Sequence, residues 1–182
     1  RRWEQFPVAP ERCADPPFAE NTLDGDDVDL FDVLPLFRLN DGDGGFYIDK
    51  AVVVSRDPDD PDNFDKQNVG VYRMEVKGNS KLGLQPVPMH DIALHLNKAE
   101  QRGEDLPVAI ALGNDPVVTI VGGTPLGYEQ SEYEMAGALR GALARHGGQP
   151  VADRLIAGPG AVQRQGRQVG HGHAEGPSGA WA

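Results

Sequence analysis

Residues 66–141 read KQNVGVYRMEVKGNSKLGLQPVPMHDIALHLNKAEQRGEDLPVAIALGNDPVVTIVGGTPLGYEQSEYEMAGALRG. Their patterning decides the fold. VYRMEV (71–76) alternates, with Tyr72, Met74 and Val76 on one face and Arg73 and Glu75 on the other, the period of a half-buried strand. GNS (78–80) reads as a hairpin turn into KLGLQPV. DIALHLNKAEQRG (91–103) is the clearest helix, because Ile92, Leu96 and Ala99 recur at helical spacing. Asp91 is placed to cap its start and Gly103 to take the left-handed position at its end. LPVAIALG (106–113) and VVTIVGG (117–123) are short apolar runs, read as buried strands. SEYE (131–134) is a capping box, with Ser131 as N-cap and Glu134 reaching back, and predicts a helix over about 132–145. Strands with helices inserted, rather than regular βαβ alternation, predict an α+β domain.

Working outward, DLFDVLPLFR (29–38) is apolar but interrupted by Pro35, which favours a short edge strand. NDGDGG (40–45) is a turn, FYIDKAVVVS (46–55) a strand rich in β-branched and aromatic residues, and RDPDDPDNFD (56–65) a polar loop. Residues 1–28 are Pro-rich and acidic, as a linker or wrapped arm would be. From Ala142 to Ala182 the chain is mostly Gly, Ala, Arg, Gln and His, a composition that buries little and predicts a poorly ordered tail. The chain opens on Arg1 rather than Met, so it reads as a fragment. No internal repeat is visible.

Composition excludes several classes. With 182 residues there is enough chain for one domain with a core. A net charge of -11 argues against nucleic acid and anionic membrane surfaces as partners. No apolar run of about 18 residues exists to span a bilayer, and the first residues lack the apolar region of a secretory signal. A lone Cys13 cannot form an internal disulfide, which fits a reducing cytoplasm. DGDDVD and DGDGGFYIDK mimic calcium loops. Counting from Asp41, however, position 6 is Phe46 and position 12 is Val52 instead of the required Gly and Glu, so both read as solvated turns. HGH (171–173) lacks further ligands at useful spacing.

The segments GDGGFYIDK, SRDPDDPDNF, QNVGVYRMEVKG, LQPVPMHDIALH and YEQSEYEMAGALR are long and specific. Through them the chain resembles the UbiD-like decarboxylases, which use prenylated FMN. It is most similar to the catalytic C subunit of the branch acting on hydroxyarylic acids such as 4-hydroxybenzoate, protocatechuate and vanillate. The resemblance covers residues 1–141 and is densest over 29–141. It implies a split β-barrel flavin-binding domain with flanking helices, holding both prenylated FMN and a divalent metal.

Carried onto this sequence, the resemblance makes Asn68, His90 and Glu132 the metal ligands. An amide oxygen, an imidazole and a carboxylate suit Mn²⁺ or Mg²⁺, with open positions for phosphate and water. The spacings of 22 and 42 residues have no local geometric meaning. Arg73 would grip the substrate carboxylate with its two-pronged guanidinium. Asn68, Val69, Gly70, Val71, Tyr72 and Arg73, then Met89 and His90, then Gly122, Gly123, Thr124 and Pro125, and finally Glu132, would line the cofactor. The glycines let backbone approach phosphate, and carbonyls near Gly122, Thr124 and Val69 could take K⁺. Distant relatives carry Gln where this chain has Met89. Read without the resemblance, Asn68 caps a turn beside Gly70 and Arg73 is an ordinary strand charge. His90 is then a half-buried histidine at a helix start, and 122–127 is a tight turn between a strand and a helix.

EGPSGA (175–180) is where the family carries E-G-P-F-G-E, with two catalytic glutamates. Glu175 would be the first and would supply the proton that replaces CO₂, while Ala180 stands where the second should be. The flavin would act as an electron sink during a reversible, non-oxidative decarboxylation of a phenolic acid. A separate flavin prenyltransferase would supply the cofactor, and the parent would assemble as a homo-oligomer. Two other readings stand beside this one. The chain could be a truncated or frame-damaged relative that binds flavin and metal at most. It could also be a flavin-reductase-like binding module, since split barrels host those too.

Overall fold

The computed structural model describes residues 7–10, 20–23 and 25–144. Six strands and four helices follow in order: α1 (Leu30–Val33), β1 (Tyr47–Ile48), β2 (Val52–Arg56), β3 (Gln67–Val71), β4 (Met74–Gly78), β5 (Lys81–Leu84), α2 (Asp91–Arg102), β6 (Val108–Ala111), α3 (Pro116–Gly122) and α4 (Glu132–Ala144). The strands make two three-stranded antiparallel sheets, β1-β4-β5 and β3-β2-β6. This is the expected α+β class. The expectations for 145–182, Glu175 included, lie outside the described residues, as do most of those for 1–28.

β2 is the centre of the second sheet, and both of its faces are buried. Val53 points into a core with Ile48, Tyr72, Met74, Val76 and Ile92. Val52 and Val54 point into another core with Val69, Val117, Val121 and Tyr133. The period-2 alternation of a strand delivers successive residues to opposite sides, so a run of three valines serves two cores. β6 does the same on a smaller scale, with Ile110 on one side and Ala109 on the other.

Local signals explain several boundaries. Tyr72, Met74 and Val76 are buried while Arg73 is exposed, as the alternation predicts. The β4–β5 hairpin turns at Asn79 and Ser80. Gly103 adopts φ 68° and closes α2 with bonds from its own N–H to Glu100 and from Glu104 to Ala99. Ser131 caps α4, its hydroxyl accepting from the Glu134 N–H at 3.4 Å.

Four expectations are corrected. The expected strand 117–123 is instead α3, Pro116–Gly122, with Gly123 as its C-cap. Asp115 accepts from the Val117 N–H at 2.9 Å and Pro116 occupies the first turn. That start signal, with Val117, Val118 and Val121 packed on the core, outweighs the slight helix penalty of β-branched residues. Residues 29–38 hold the single helical turn α1 rather than an edge strand. Asp29 caps it by accepting from Phe31 at 2.9 Å, and Pro35 follows its end. The expected strand 46–55 is two strands in different sheets, broken at the Asp49–Lys50 corner. Asp91 is the first helical residue of α2 and not its cap; His90 holds the cap position and makes no side-chain capping bond.

Candidate functional site

β3 carries the first candidate residues. Its alternation sends Val69 and Val71 into the α3–α4 core and leaves Asn68 and Gly70 on the opposite face, continued by Tyr72. Asn68 is buried, and its Nδ2 has no hydrogen-bond partner. The Tyr72 ring folds back over Gly70: a Cβ added at Gly70 would stand 2.6 Å from the Tyr72 hydroxyl oxygen. Only glycine permits that closeness. The same ring lies 5.6 Å from the ring of His90, which waits at the start of α2.

Glu132 reaches this group from α4. It is the first residue of the helix, placed by the Ser131 cap. Only 8% of it is exposed. Its carboxylate accepts from its own N–H and from the Val69 N–H, but Oε2 has no partner. Burial, helped by the nearby Asp91 carboxylate, pushes its pKa from the ordinary 4.5 up to about 7. Burial also raises Asp91, partly offset by His90. Burial raises Tyr72 too, the Asn68 amide beside its hydroxyl works against that, and Asp91 and Glu132 add to the rise.

Asn68, Tyr72, His90, Asp91 and Glu132 therefore share one neighbourhood. Two buried polar atoms there are unpartnered, Asn68 Nδ2 and Glu132 Oε2, and the Asp91 charge bears on Glu132. Among the described residues no group of three or more His, Cys, Asp or Glu side chains is arranged to hold a metal ion. The candidate set has two side chains of those types, and its third donor is the Asn68 amide, a hard oxygen ligand when turned over. The donor chemistry fits a hard divalent ion. Asp91, read from the sequence as the cap of α2 and as the neighbour of His90, is a member of this group.

The other candidates fall around this centre. Gly122 ends α3 against β3, where an added Cβ would stand 3.2 Å from the Val69 carbonyl oxygen. The 122–125 segment therefore adjoins Val69 and Val71, but as a helix terminus and not as the expected strand-to-helix turn. Thr124 donates its hydroxyl to the Ile120 carbonyl at 2.9 Å. Arg73 is exposed, and its guanidinium lies 5.0 Å over the Tyr47 ring of β1. Met89 is 84% exposed beside His90. No helix among the described residues is long and apolar enough to cross a membrane.

A second polar cluster was not foreseen. Asp57, 2% exposed, follows β2 and receives both oxygens' bonds from Lys98 at 2.8 Å. The Tyr128 hydroxyl donates to it at 2.7 Å. Burial pushes Asp57 up, yet the bonds from Lys98, Tyr128 and the Asp59 N–H outweigh it and hold its pKa at about 2. Beside it, fully buried His95 meets the Ser55 hydroxyl through Nδ1 at 2.9 Å. Burial lowers the His95 pKa, and the Asp57 charge works against it. The partners are 30 to 71 residues apart, so no spacing rule could have announced them.

A family model described as UbiD: 3-octaprenyl-4-hydroxybenzoate carboxy-lyase Rift-related domain matches residues 11–147. A phenolic acid decarboxylase of Escherichia coli O157:H7 is 78% identical over 140 residues, 77% of this chain and 30% of that protein. The vanillic acid decarboxylase of Sedimentibacter hydroxybenzoicus in closed form superposes with a TM-score of 0.71 at 51% identity, covering 76% of this chain and 29% of that one. An evolved dimeric form of the UbiD-class enzyme HmfF from Pelotomaculum thermopropionicum, in complex with prFMN, gives a TM-score of 0.57 at 33% identity, over 63% of this chain and 26% of that one. The chain thus spans about three-tenths of the length of these relatives.

Proposed function

The chain belongs to the UbiD family of carboxy-lyases, and from that membership we propose that it is the flavin- and metal-binding part of a phenolic acid decarboxylase. The observation that carries the proposal is the Glu132 carboxylate. It is buried with Oε2 unpartnered, near an Asn68 amide whose Nδ2 is unpartnered and within the same group as His90. Burying an ionised carboxylate without a partner is costly. A divalent cation held by these residues would offset that cost. Asn68, His90 and Glu132 are the proposed ligands of Mn²⁺ or Mg²⁺, and the carbonyl-rich C-terminal end of α3 suits K⁺ better than a bare anion.

Prenylated FMN, when bound, supplies the electron sink for the pair released as CO₂ departs. The chain's own residues bind and orient. Val69, Gly70, Val71, Tyr72, Met89, Gly122, Gly123, Thr124 and Pro125 would line the cofactor. Arg73 is the proposed carboxylate clamp. Stacking on Tyr47 occupies only the face of its guanidinium and leaves the in-plane N–H groups for the substrate. Glu175 would return the proton. In this reading the two sheets joined through β2 form the split barrel, residues 29–141 are the binding domain, and 1–28 and 142–182 are arm and tail. A flavin prenyltransferase supplies the cofactor. The dimeric form of HmfF supports a homo-oligomeric parent, and the lone Cys13 supports a cytoplasmic one.

A second reading rests on Ala180, which stands where the second family glutamate belongs. In it the chain binds flavin and metal but does not turn over. One experiment tests both. The chain is co-expressed with a flavin prenyltransferase, its flavin absorbance is recorded, and CO₂ release from 4-hydroxybenzoate is assayed with Mn²⁺. Turnover supports the first reading, and bound flavin without turnover the second. Absence of both flavin and Mn²⁺ binding refutes both.

A further inference from the structure

We infer that the cluster of Asp57, Lys98 and Tyr128 is a positioning device that sets Glu132 against His90. The inference rests on the reading of those two residues given above and adds Tyr128 to the residues on which it depends. Lys98 lies on α2, the helix that His90 opens. Tyr128 lies in the turn that leads into α4, which Glu132 opens. Asp57 leaves the end of β2 and bonds to both. Lys98 also donates to the Tyr128 hydroxyl at 3.1 Å and pairs with Asp59 at 3.1 Å. The Tyr128 ring is held from the other side by His95, 5.8 Å away and edge-on at 69°.

Between Tyr128 and Glu132 the chain has no slack. Gln130 N–H donates to the Gly127 carbonyl at 2.9 Å, and the Gln130 side chain accepts from the Gly127 N–H at 2.9 Å. Ser131 follows, 3% exposed and engaged as the α4 cap. A displacement of the Tyr128 ring is therefore passed to the first residue of α4. A buried carboxylate needs one good partner for its charge. Here the cationic partner comes from α2, whose cap position His90 holds, and the phenol from the turn that leads into α4, which Glu132 opens. A closed polar network fixes geometry more sharply than an apolar contact does, and outer groups that orient ligands are worth about 10–100-fold in metal affinity.

The test uses the full chain and Tyr128→Phe, which keeps the ring and removes the hydroxyl. Mn²⁺ binding is followed by the electron paramagnetic resonance of free Mn²⁺ with FMN present, at a temperature where circular dichroism shows both proteins folded. Amide hydrogen exchange is read at Gln130–Met135. Arg102→Ala is the control: it removes Arg102's own contacts with Pro58 and Asp59 and leaves the Lys98 and Tyr128 bonds to Asp57 in place. Expected are a roughly tenfold rise in the Mn²⁺ Kd and faster exchange at Gln130–Met135 in Tyr128→Phe, with neither in Arg102→Ala. A Kd unchanged within twofold, or exchange unchanged at the turn, overturns the inference. If the unaltered chain takes up no Mn²⁺, the metal reading falls. The exchange data then decide alone whether Tyr128 holds Glu132 in place.

Discussion

Glu132→Gln should make the metal-free chain more stable, and only at the alkaline end. The substitution keeps the side-chain shape and an acceptor for the Val69 N–H while removing the charge. In the folded chain the Glu132 pKa rises from 4.5 to about 7, a difference corresponding to about 3 kcal/mol at about 1.36 kcal/mol per pH unit. The sign follows from proton binding. Between 4.5 and 7 the folded chain holds a proton that the unfolded chain has lost, so wild-type stability is full at low pH and falls as pH rises toward 7. The glutamine amide nitrogen would be left unpaired where Oε2 is now, which costs back about 1 kcal/mol. The net gain at pH 8 is about 2 kcal/mol, and near pH 5 it vanishes, because little of the wild-type penalty is present there. Urea denaturation in EDTA reads this as a midpoint shift of about 1 M at pH 8, for a slope near 2 kcal/mol per M. Added Mn²⁺ should raise the wild-type midpoint and leave the variant's unmoved. A Glu132→Gln midpoint at or below wild type at pH 8 in EDTA would refute the reasoning, because the carboxylate would then have a compensation that its surroundings do not provide.

Lys98→Met removes the charge partner of a 2%-exposed Asp57, and should cost about 3–5 kcal/mol in urea melts at pH 7. Because Asp57 is held at about 2, the wild type should lose stability as pH falls from about 4 through 2; the variant should lack that acid-side slope, and finding it intact would exclude the pairing. Gly70→Ala forces the Tyr72 ring away, since the new Cβ would stand 2.7 Å from Cζ. A loss of about 1–3 kcal/mol and a changed near-ultraviolet tyrosine dichroism are expected, and an unchanged spectrum would show that the ring does not lie there. Asp115→Ala removes both the cap of α3 and a 2.8 Å ion pair to Arg140. It should destabilise the chain by about 1–2 kcal/mol in thermal or urea melts, whereas a neutral result would mean that Pro116 and packing alone start the helix.

What the sequence announced was local. Alternation fixed the faces of Tyr72, Met74 and Val76, Gly103 marked a helix end, and Ser131 marked a helix start, because each signal acts within a few residues. The errors arose where local signals competed. Residues 117–121 are all β-branched, yet the Asp115–Pro116 pair ahead of them is a helix start, and in this core the start prevailed. The run at 46–55 turns its corner at Asp49–Lys50, a charged pair between two apolar stretches that go to different sheets. For the site, spacing was silent. Asn68 and Glu132 meet because α4 docks on β3, and only resemblance to a family joined them beforehand. Asp57, Lys98 and Tyr128 carried no motif at all; their association is a product of tertiary packing.

The two-sided burial of β2 has a consequence for how the domain comes apart. Val52 and Val54 cannot leave one core without withdrawing Val53 from the other. Neither half can loosen ahead of its neighbour, so heating should give a single calorimetric peak, and no state with one sheet intact and the other melted should accumulate.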